Sequence, residues 1–126
     1  MKKKSNKPNL SKLAYDVTQN GATERPFTGK YYDFDEKGLF LCVCCNESIF
    51  SSDDKFDSGS GWPSFTKTID IDKVLLIEDY SFSMKRVEVK CRCGSHLGHV
   101  FDDGPRPEGK RYCINSVALK FSENEI

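Results

Sequence analysis

The chain has 126 residues, and its 19 Lys and Arg residues balance 19 Asp and Glu residues. A chain of this length forms one domain with a modest core, and the neutral balance argues against a nucleic-acid or anionic-membrane binder. No apolar run approaches the roughly 20 residues of a membrane span, and no signal-peptide core follows the lysines at residues 2–4. We therefore expect a cytoplasmic monomer without nucleic-acid or membrane partners.

The amino end divides into a tail and a helix. Residues 1–9 are basic and polar, which predicts a flexible tail before a single domain over residues 10–126. Apolar residues recur at helical spacing from Leu10 to Val17, which predicts a short amphipathic helix. Asn20-Gly21 is typical of a helix end.

The rest of the chain is dominated by strand-like runs. Residues 31–34 and 39–43 flank a turn-like segment and predict a β-hairpin. Further runs rich in β-branched and aromatic residues follow at residues 74–77, 81–89 and 111–121. A Pro/Gly-rich loop at residues 102–109 separates the last two runs. The predicted fold is mostly β, with antiparallel strands and one or two short helices near the amino end.

Two close cysteine pairs lie in distant parts of the chain. Cys42 and Cys45 form a C-x-x-C pair, whereas Cys91 and Cys93 form a C-x-C pair, one residue shorter than the common spacing. Two such knuckles on hairpin turns can place four thiolates around one structural zinc ion, which would cross-link a small domain. The alternatives are reduced core cysteines, or His96 as a ligand near Cys93.

Residues 90–121 contain both histidines and an isolated cysteine, Cys113. Arg111 lies two positions earlier, on the same face of an extended strand, where its charge would favour the nucleophilic thiolate. His96 and His99 can carry protons near neutral pH. If the fold brings these groups together, they support nucleophilic catalysis. The alternative is an inert buried thiol with structural histidines.

Residues 56–65 contain the single tryptophan, Trp62, and Gly59, Gly61 and Pro63 favour a shaped loop over a helix. Trp62 and Phe65 can form the apolar wall of a substrate pocket, or they can cap the core. The residues alone do not decide between these interpretations.

Five segments of the chain resemble, in the same order, those of the methionine-R-sulfoxide reductases: GATERPFTG, CVCC, KFDSGSGWPSF, GSHLGHVFDDGPRPEGKRYCINS and VALKF. The resemblance covers the chain from about Leu10 to Phe121. It implies two antiparallel sheets with short peripheral helices. It also implies reduction of the R epimer of methionine sulfoxide, free or in a protein, to methionine.

Carried over by position, the resemblance makes Cys113 the nucleophile and places His96, His99 and Asn115 on the polar side of the pocket, with Trp62 holding the ε-methyl group. The Cys113 thiolate would attack the sulfoxide sulfur while His99 or His96 protonates the oxygen. Methionine then leaves, Cys113 becomes a sulfenic acid, and Asn115 can hydrogen-bond the oxygen.

The resemblance also covers the metal ligands. Cys42, Cys45 and Cys93 match positions of the zinc-binding subgroup of the family, and Cys91 lies one residue later than the fourth ligand usually does.

One position departs from the pattern of many family members. In those family members, the residue between the two glycines before Trp-Pro is a cysteine, which resolves the sulfenic acid by forming a disulfide. In this chain the same position is Ser60. Because a hydroxyl cannot form a disulfide, we predict recycling by an external thiol such as thioredoxin, glutaredoxin or a small thiol. Cys44 is an alternative resolver, and Cys91 joins it if the C-x-C pair binds no metal.

Two other functions stay open on the residues alone. One is a zinc-stabilised binding module without chemistry. The other is a thiol–disulfide oxidoreductase that cycles Cys42 and Cys45, although such a redox pair belongs to a βαβ context that this stretch lacks.

Overall fold

A computed structural model describes residues 10–123, so the expected tail at residues 1–9 lies outside the described residues. Residues 10–123 form one α-helix, nine strands and four short 3-10 turns. The helix α1 spans Lys12–Asn20, and the strands are β1 Leu39–Cys42, β2 Ser48–Ser51, β3 Lys55–Phe56, β4 Ser64–Phe65, β5 Val74–Asp79, β6 Arg86–Cys91, β7 His96–Phe101, β8 Arg111–Ile114 and β9 Leu119–Ser122. The 3-10 turns are Ser52–Asp54, Ile71–Lys73, Ser81–Ser83 and Ser116–Ala118.

The strands form two antiparallel sheets, which confirms the predicted fold class. A three-stranded sheet has the order β2-β1-β9, and a six-stranded sheet has the order β3-β4-β8-β7-β6-β5. Within the described residues, no helix has the length and apolar character needed to cross a membrane.

Helix α1 has the boundaries that its end residues favour. The Ser11 hydroxyl accepts a hydrogen bond from the Ala14 N–H (3.0 Å), which satisfies one donor of the first turn. Gly21 ends the helix in the left-handed conformation, with a φ of 74°. Ala14 and Val17 are buried, so the predicted amphipathic helix and its glycine end are confirmed.

The predicted hairpin between residues 31–34 and 39–43 is wrong in its first strand. Residues 31–33 form a turn, and the buried ring of Tyr31 packs edge-on against Phe40 at 5.3 Å between centroids. The Tyr31 N–H donates to the Ser116 hydroxyl (3.1 Å) rather than to a strand. Strand β1 pairs instead with β2 and β9. Aromatic packing has overridden the strand propensity of this run.

Two other predicted runs are interrupted. The run at residues 81–89 becomes a strand only at Arg86, because Ser81–Ser83 form a 3-10 turn. The Asp79 carboxylate accepts the Ser81 N–H at 2.9 Å and fixes the start of that turn. The run at residues 111–121 divides into β8, the turn Ser116–Ala118 and β9.

Side-chain alternation gives the six-stranded sheet a core face and a polar face. On β4 and β8, Phe65 pairs with Tyr112 and both side chains are buried in the core. The neighbouring pair, Ser64 and Cys113, points to the opposite face, where Cys113 is also the cross-strand partner of His99 on β7. The predicted nucleophile and one predicted proton carrier therefore share the polar face.

Strands β7 and β8 approach most closely at Gly98. An added Cβ at Gly98 would overlap the carbonyl oxygen of Cys113 and would lie 2.9 Å from the Cα of Ile114. Backbone atoms cannot move aside as a flexible side chain can. We therefore expect Gly98→Ala to lower the free energy of unfolding by about 3 kcal/mol, and urea denaturation measures this change. At Gly109 an added Cβ has open space but the φ is 74°, so Gly109→Ala should cost only about 1 kcal/mol. Equal losses in the two variants would contradict the close approach.

Candidate active site and metal centre

A cavity of about 320 Å³ lies on the polar face of the six-stranded sheet. Strand β8 supplies a thiol and a guanidinium, β7 supplies an imidazole and a phenyl ring, and the loop before β4 supplies a hydroxyl and an indole. The lining residues are Thr23, Ser60, Trp62, Arg86, Gly98, His99, Phe101, Arg111, Cys113 and Asn115. The fold thus gathers the groups of three predicted motifs around one cavity.

Arg111 and Cys113 share the cavity, which confirms the predicted common strand face. The Arg111 guanidinium donates two hydrogen bonds to the Asp103 carboxylate (2.8 and 3.1 Å) and lies over the Phe101 ring at 4.4 Å from its centroid. Part of its charge is therefore balanced before it acts on the thiol.

Burial raises the pKa of the Cys113 thiol above its usual value. A hydrogen bond between Cys113 and Ser60 and the charge of Arg111 both lower this pKa, but by less than burial raises it. The Arg111 charge therefore favours the thiolate, as predicted, but by less than burial opposes it. Desolvation disfavours the anion more strongly than the shared guanidinium stabilises it, which favours the thiol form of Cys113.

A β-bulge brings the two histidines together. Residues three apart in a regular strand point to opposite faces, but the register of β6 and β7 shifts so that Lys90 faces His96 while Val89 faces Gly98. Leu97 is thus the extra residue of a bulge. As a result, the His96 and His99 rings lie 5.6 Å apart between centroids.

Each histidine contacts a carboxylate that the sequence analysis missed. His99 Nε2 lies 2.8 Å from Asp79 Oδ2, and His96 Nδ1 lies 2.7 Å from Glu88 Oε2. Burial lowers the pKa of His99, and the Asp79 hydrogen bond opposes this only in part. Glu88 lies opposite His99 on the neighbouring strand. This position could be predicted only if the strand register were known.

Trp62 forms a cavity wall, as one of the two interpretations predicted. The indole N–H donates to the carbonyl oxygen of Glu24 at 3.0 Å. The buried carboxylate of Glu24 accepts the N–H groups of Ser116 and Val117 at 2.9 and 3.1 Å. Glu24 therefore links the cavity wall to the chain that follows β8, a role that the sequence analysis did not assign to it.

One predicted pocket residue lines the cavity and another does not. Asn115 lines the cavity, as expected, and its side chain accepts the Glu24 N–H at 2.9 Å and donates to the Leu97 carbonyl at 3.0 Å. Its expected hydrogen bond to the sulfoxide oxygen stays a prediction. Phe65 is fully buried and stacks on Phe50 at 4.3 Å between centroids. Its expected substrate contact is corrected to a core contact.

Ser60 lies beside the predicted nucleophile, with 3.9 Å between its Oγ and the Cys113 Sγ. The alternative resolver, Cys44, is buried in the turn after β1 and accepts a hydrogen bond from the Gln19 amide at 3.5 Å. Cys44 is not among the residues that line the cavity.

The four predicted metal ligands lie together. The sulfur atoms of Cys42, Cys45, Cys91 and Cys93 all lie within 4.8 Å of one another, with 3.7 Å between Cys42 and Cys93 and 3.6 Å between Cys45 and Cys91. A tetrahedron with metal–sulfur bonds of roughly 2.3 Å has edges of about 3.8 Å, so the cluster has the size of a four-thiolate metal site. His96 is not part of this cluster.

The fold thus combines a cavity lined by a thiol, an imidazole and aromatic rings with a separate cluster of four cysteines placed to bind a metal ion. A family model described as the SelR domain matches residues 10–123. The peptide methionine sulfoxide reductases MsrB of Methanosarcina mazei and Methanosarcina barkeri are each 56% identical over 117 residues, 92% of this chain and 84% and 82% of those proteins. The MsrB protein of Hahella chejuensis is 53% identical over 113 residues, 89% of this chain and 81% of that protein. The chain therefore belongs to the methionine-R-sulfoxide reductase family, as its motifs predicted.

The protonation of Cys113 can be measured by alkylation. The rate at which iodoacetamide modifies Cys113 of the metal-bound protein is measured against pH by mass spectrometry of the Cys113 peptide. We expect the midpoint of this pH profile to lie above the usual cysteine value of about 8.5. Arg111→Met should move the midpoint higher, because it removes a positive charge that favours the thiolate. Arg106→Met, an exposed change in the preceding loop, should not move it. A lower midpoint in Arg111→Met would contradict the assignment.

The metal cluster can be tested by two cysteine substitutions. We expect the parent protein to bind one metal ion per chain. Cys91→Ser should lose most of the bound metal, because three thiolates do not close a tetrahedral site, and its free energy of unfolding should fall by more than about 3 kcal/mol. Cys44→Ser removes a thiol from the same cysteine-rich region and should keep the ion. The measurements are elemental analysis and calorimetry. Equal metal content in both variants would exclude Cys91 as a ligand.

Proposed function

We propose that this chain reduces the R epimer of methionine sulfoxide, free or in a protein, to methionine. The observation that carries the proposal is the single cavity in which Cys113 and His99 face the aromatic walls Trp62 and Phe101. A sulfoxide side chain combines an apolar methyl group with a polar oxygen, and this cavity offers a surface for each. Membership of the reductase family supports the same reaction.

In the proposed step, the Cys113 sulfur attacks the sulfoxide sulfur. The oxygen passes to Cys113 as a sulfenic acid, methionine leaves, and the thiol proton ends on that oxygen. No external electron donor is needed up to this point, because Cys113 is oxidised as the sulfoxide is reduced.

We assign the proton transfer to His99 rather than His96. His99 is the cross-strand partner of Cys113 and lines the same cavity. His96 is buried and lines a neighbouring cavity with Asp79 and Glu88, which His99 also lines, but it does not line the cavity that contains Cys113. A proton carrier must reach the atom that it protonates, and the place of His99 opposite Cys113 supports this assignment.

The aromatic walls position the methyl group in this proposal. Trp62 is held by its hydrogen bond to the Glu24 carbonyl, and Phe101 is held beneath the Arg111 guanidinium. Both rings are therefore fixed before substrate arrives, which reduces the ordering cost of binding.

Recycling of the sulfenic acid by an external thiol is part of the proposal. The side chain beside Cys113 is the Ser60 hydroxyl, and the cavity is lined by no cysteine other than Cys113 among the described residues. Cys91 lies in the metal cluster and Cys44 in the core. Thioredoxin, glutaredoxin or a small thiol would then attack Cys113 directly.

The metal in the four-cysteine cluster is proposed to be one structural zinc ion. Zinc prefers four thiolates in a closed tetrahedral arrangement, which the sulfur spacing supports. Ligation would hold Cys42 and Cys45 away from thiol–disulfide exchange, and this weighs against the alternative redox function. A cytoplasmic location is part of the proposal, because catalytic and metal-binding thiols persist in a reducing compartment.

A single-turnover assay tests the function. The metal-bound protein, without reductant, is given each methionine sulfoxide epimer separately, and methionine, free thiols and dimedone adducts are measured. We expect methionine from the R epimer in an amount equal to the protein, loss of one thiol, and a dimedone adduct on Cys113. Cys113→Ser should release no methionine. Release from neither epimer by the parent protein would overturn the proposal.

Ser60→Cys is the matched variant for recycling. Because the two side chains lie 3.9 Å apart, the new thiol can resolve the sulfenic acid as a disulfide. We expect this variant to lose two thiols in total per turnover, where the parent loses one, and to form no dimedone adduct. Loss of two thiols by the parent protein would show that another cysteine takes the resolving role.

A further inference from the structure

We propose that Asp79 is a positioning residue for the reaction. It fixes His99 so that Nδ1, and not Nε2, is the nitrogen that exchanges a proton in the cavity. The inference rests on the reductase function proposed above and assigns the atom through which its proton moves. Asp79 lies at the end of β5, two strands from His99 on β7, so it does not belong to the strand pair that holds Cys113.

The Asp79 carboxylate is fully engaged by donors. One oxygen accepts both the backbone N–H and the hydroxyl of Ser81, at 2.9 and 2.8 Å. The other lies 2.8 Å from His99 Nε2 and 3.5 Å from an Arg86 nitrogen. These contacts, led by the His99 hydrogen bond, hold the pKa of Asp79 well below its usual range. Asp79 is thus a rigid, ionised acceptor.

The state of Asp79 determines the tautomer of His99. An ionised carboxylate can only accept a hydrogen bond, so His99 Nε2 must carry a hydrogen whether the ring is neutral or charged. In the neutral ring, Nδ1 then holds the free lone pair, and in the charged ring it holds the exchangeable proton. One histidine nitrogen is therefore committed to Asp79, and the other is left for chemistry.

This arrangement suits a nucleophile that rests as a thiol. His99 Nδ1 takes the proton as the Cys113 S–H bond breaks, and the Asp79 charge stabilises the imidazolium that forms. The Cys113–oxygen bond forms as the methionine sulfur–oxygen bond breaks, and Nδ1 returns the proton to that oxygen. Cys113 loses two electrons, the sulfoxide gains two, and His99 ends neutral.

His96 shows that the pairing at His99 is specific. The carboxylate partner of His96 is Glu88, and it contacts Nδ1, the opposite nitrogen. His96 Nε2 is buried and has no hydrogen-bond partner among the described residues. The two histidines of the chain are thus held by opposite nitrogens, and only His99 lines the cavity that contains Cys113.

The tautomer is measured in the metal-bound parent protein, without substrate. Nitrogen-15 correlation spectra of the two rings, assigned through the backbone, should show neutral His99 protonated at Nε2. In Asp79→Asn the amide can donate or accept and carries no charge, so the Nε2–H preference should be lost. The parent spectrum alone tests the assignment, even if that variant fails to fold.

Turnover gives the second readout. We expect Asp79→Asn to lower kcat about 100-fold with KM changed less than about 3-fold, because the residue acts in proton transfer rather than binding. Glu78→Gln is the control, since Glu78 neighbours Asp79 but is exposed and bonds Tyr80; its kcat should match the parent.

A parent His99 protonated at Nδ1 would overturn the inference, and so would an Asp79→Asn variant with the parent kcat. Failure of the parent protein itself to release methionine would instead overturn the proposed function, so the two failures are distinguishable.

Discussion

The pairing of β7 with β8 is the constraint on which the site depends. Gly98 lets the two backbones approach closely, and the Asn115 side chain ties β8 to the Leu97 carbonyl at 3.0 Å. With the register fixed in this way, His99 lies opposite Cys113. A slip of one residue would move Cys113 to the core face, so the glycine and the buried amide have a chemical consequence although neither takes part in the proposed chemistry.

Burial and charge oppose each other at the nucleophile, and burial dominates. The cavity that would hold an apolar methyl group also desolvates Cys113, which raises its pKa, and the Arg111 charge is shared with Asp103. A site of this kind needs a nearby base to take the thiol proton during the reaction. Burial lowers the pKa of His99, which favours the neutral imidazole that can accept this proton.

Local patterns predicted the parts of the site that depend on neighbouring residues. The common face of Arg111 and Cys113 follows from a two-residue spacing, and the metal knuckles follow from spacing within each pair. The bulge at Leu97 and the contact between Asp79 and His99 depend on how neighbouring strands pair. The spacing of residues within one segment does not reveal this register. Phe65 was misplaced for a related reason, because it pairs into a short strand whose alternation turns its ring to the core.

The turn between β6 and β7 connects the four-cysteine cluster with the face that carries His99 and Cys113, although they are separate sites. Cys91 ends β6 and His96 begins β7, so the turn that carries Cys93 sets the register in which these strands pair. The turn is tight, with the Gly94 N–H donating to the Cys91 carbonyl at 2.8 Å and Gly94 at a φ of 100°. Four thiolates this close repel one another unless a cation is bound. A bound ion would therefore hold the turn, the turn would hold the bulge, and the bulge places both histidines on one face. On this view the short C-x-C spacing is part of how the strand register is set.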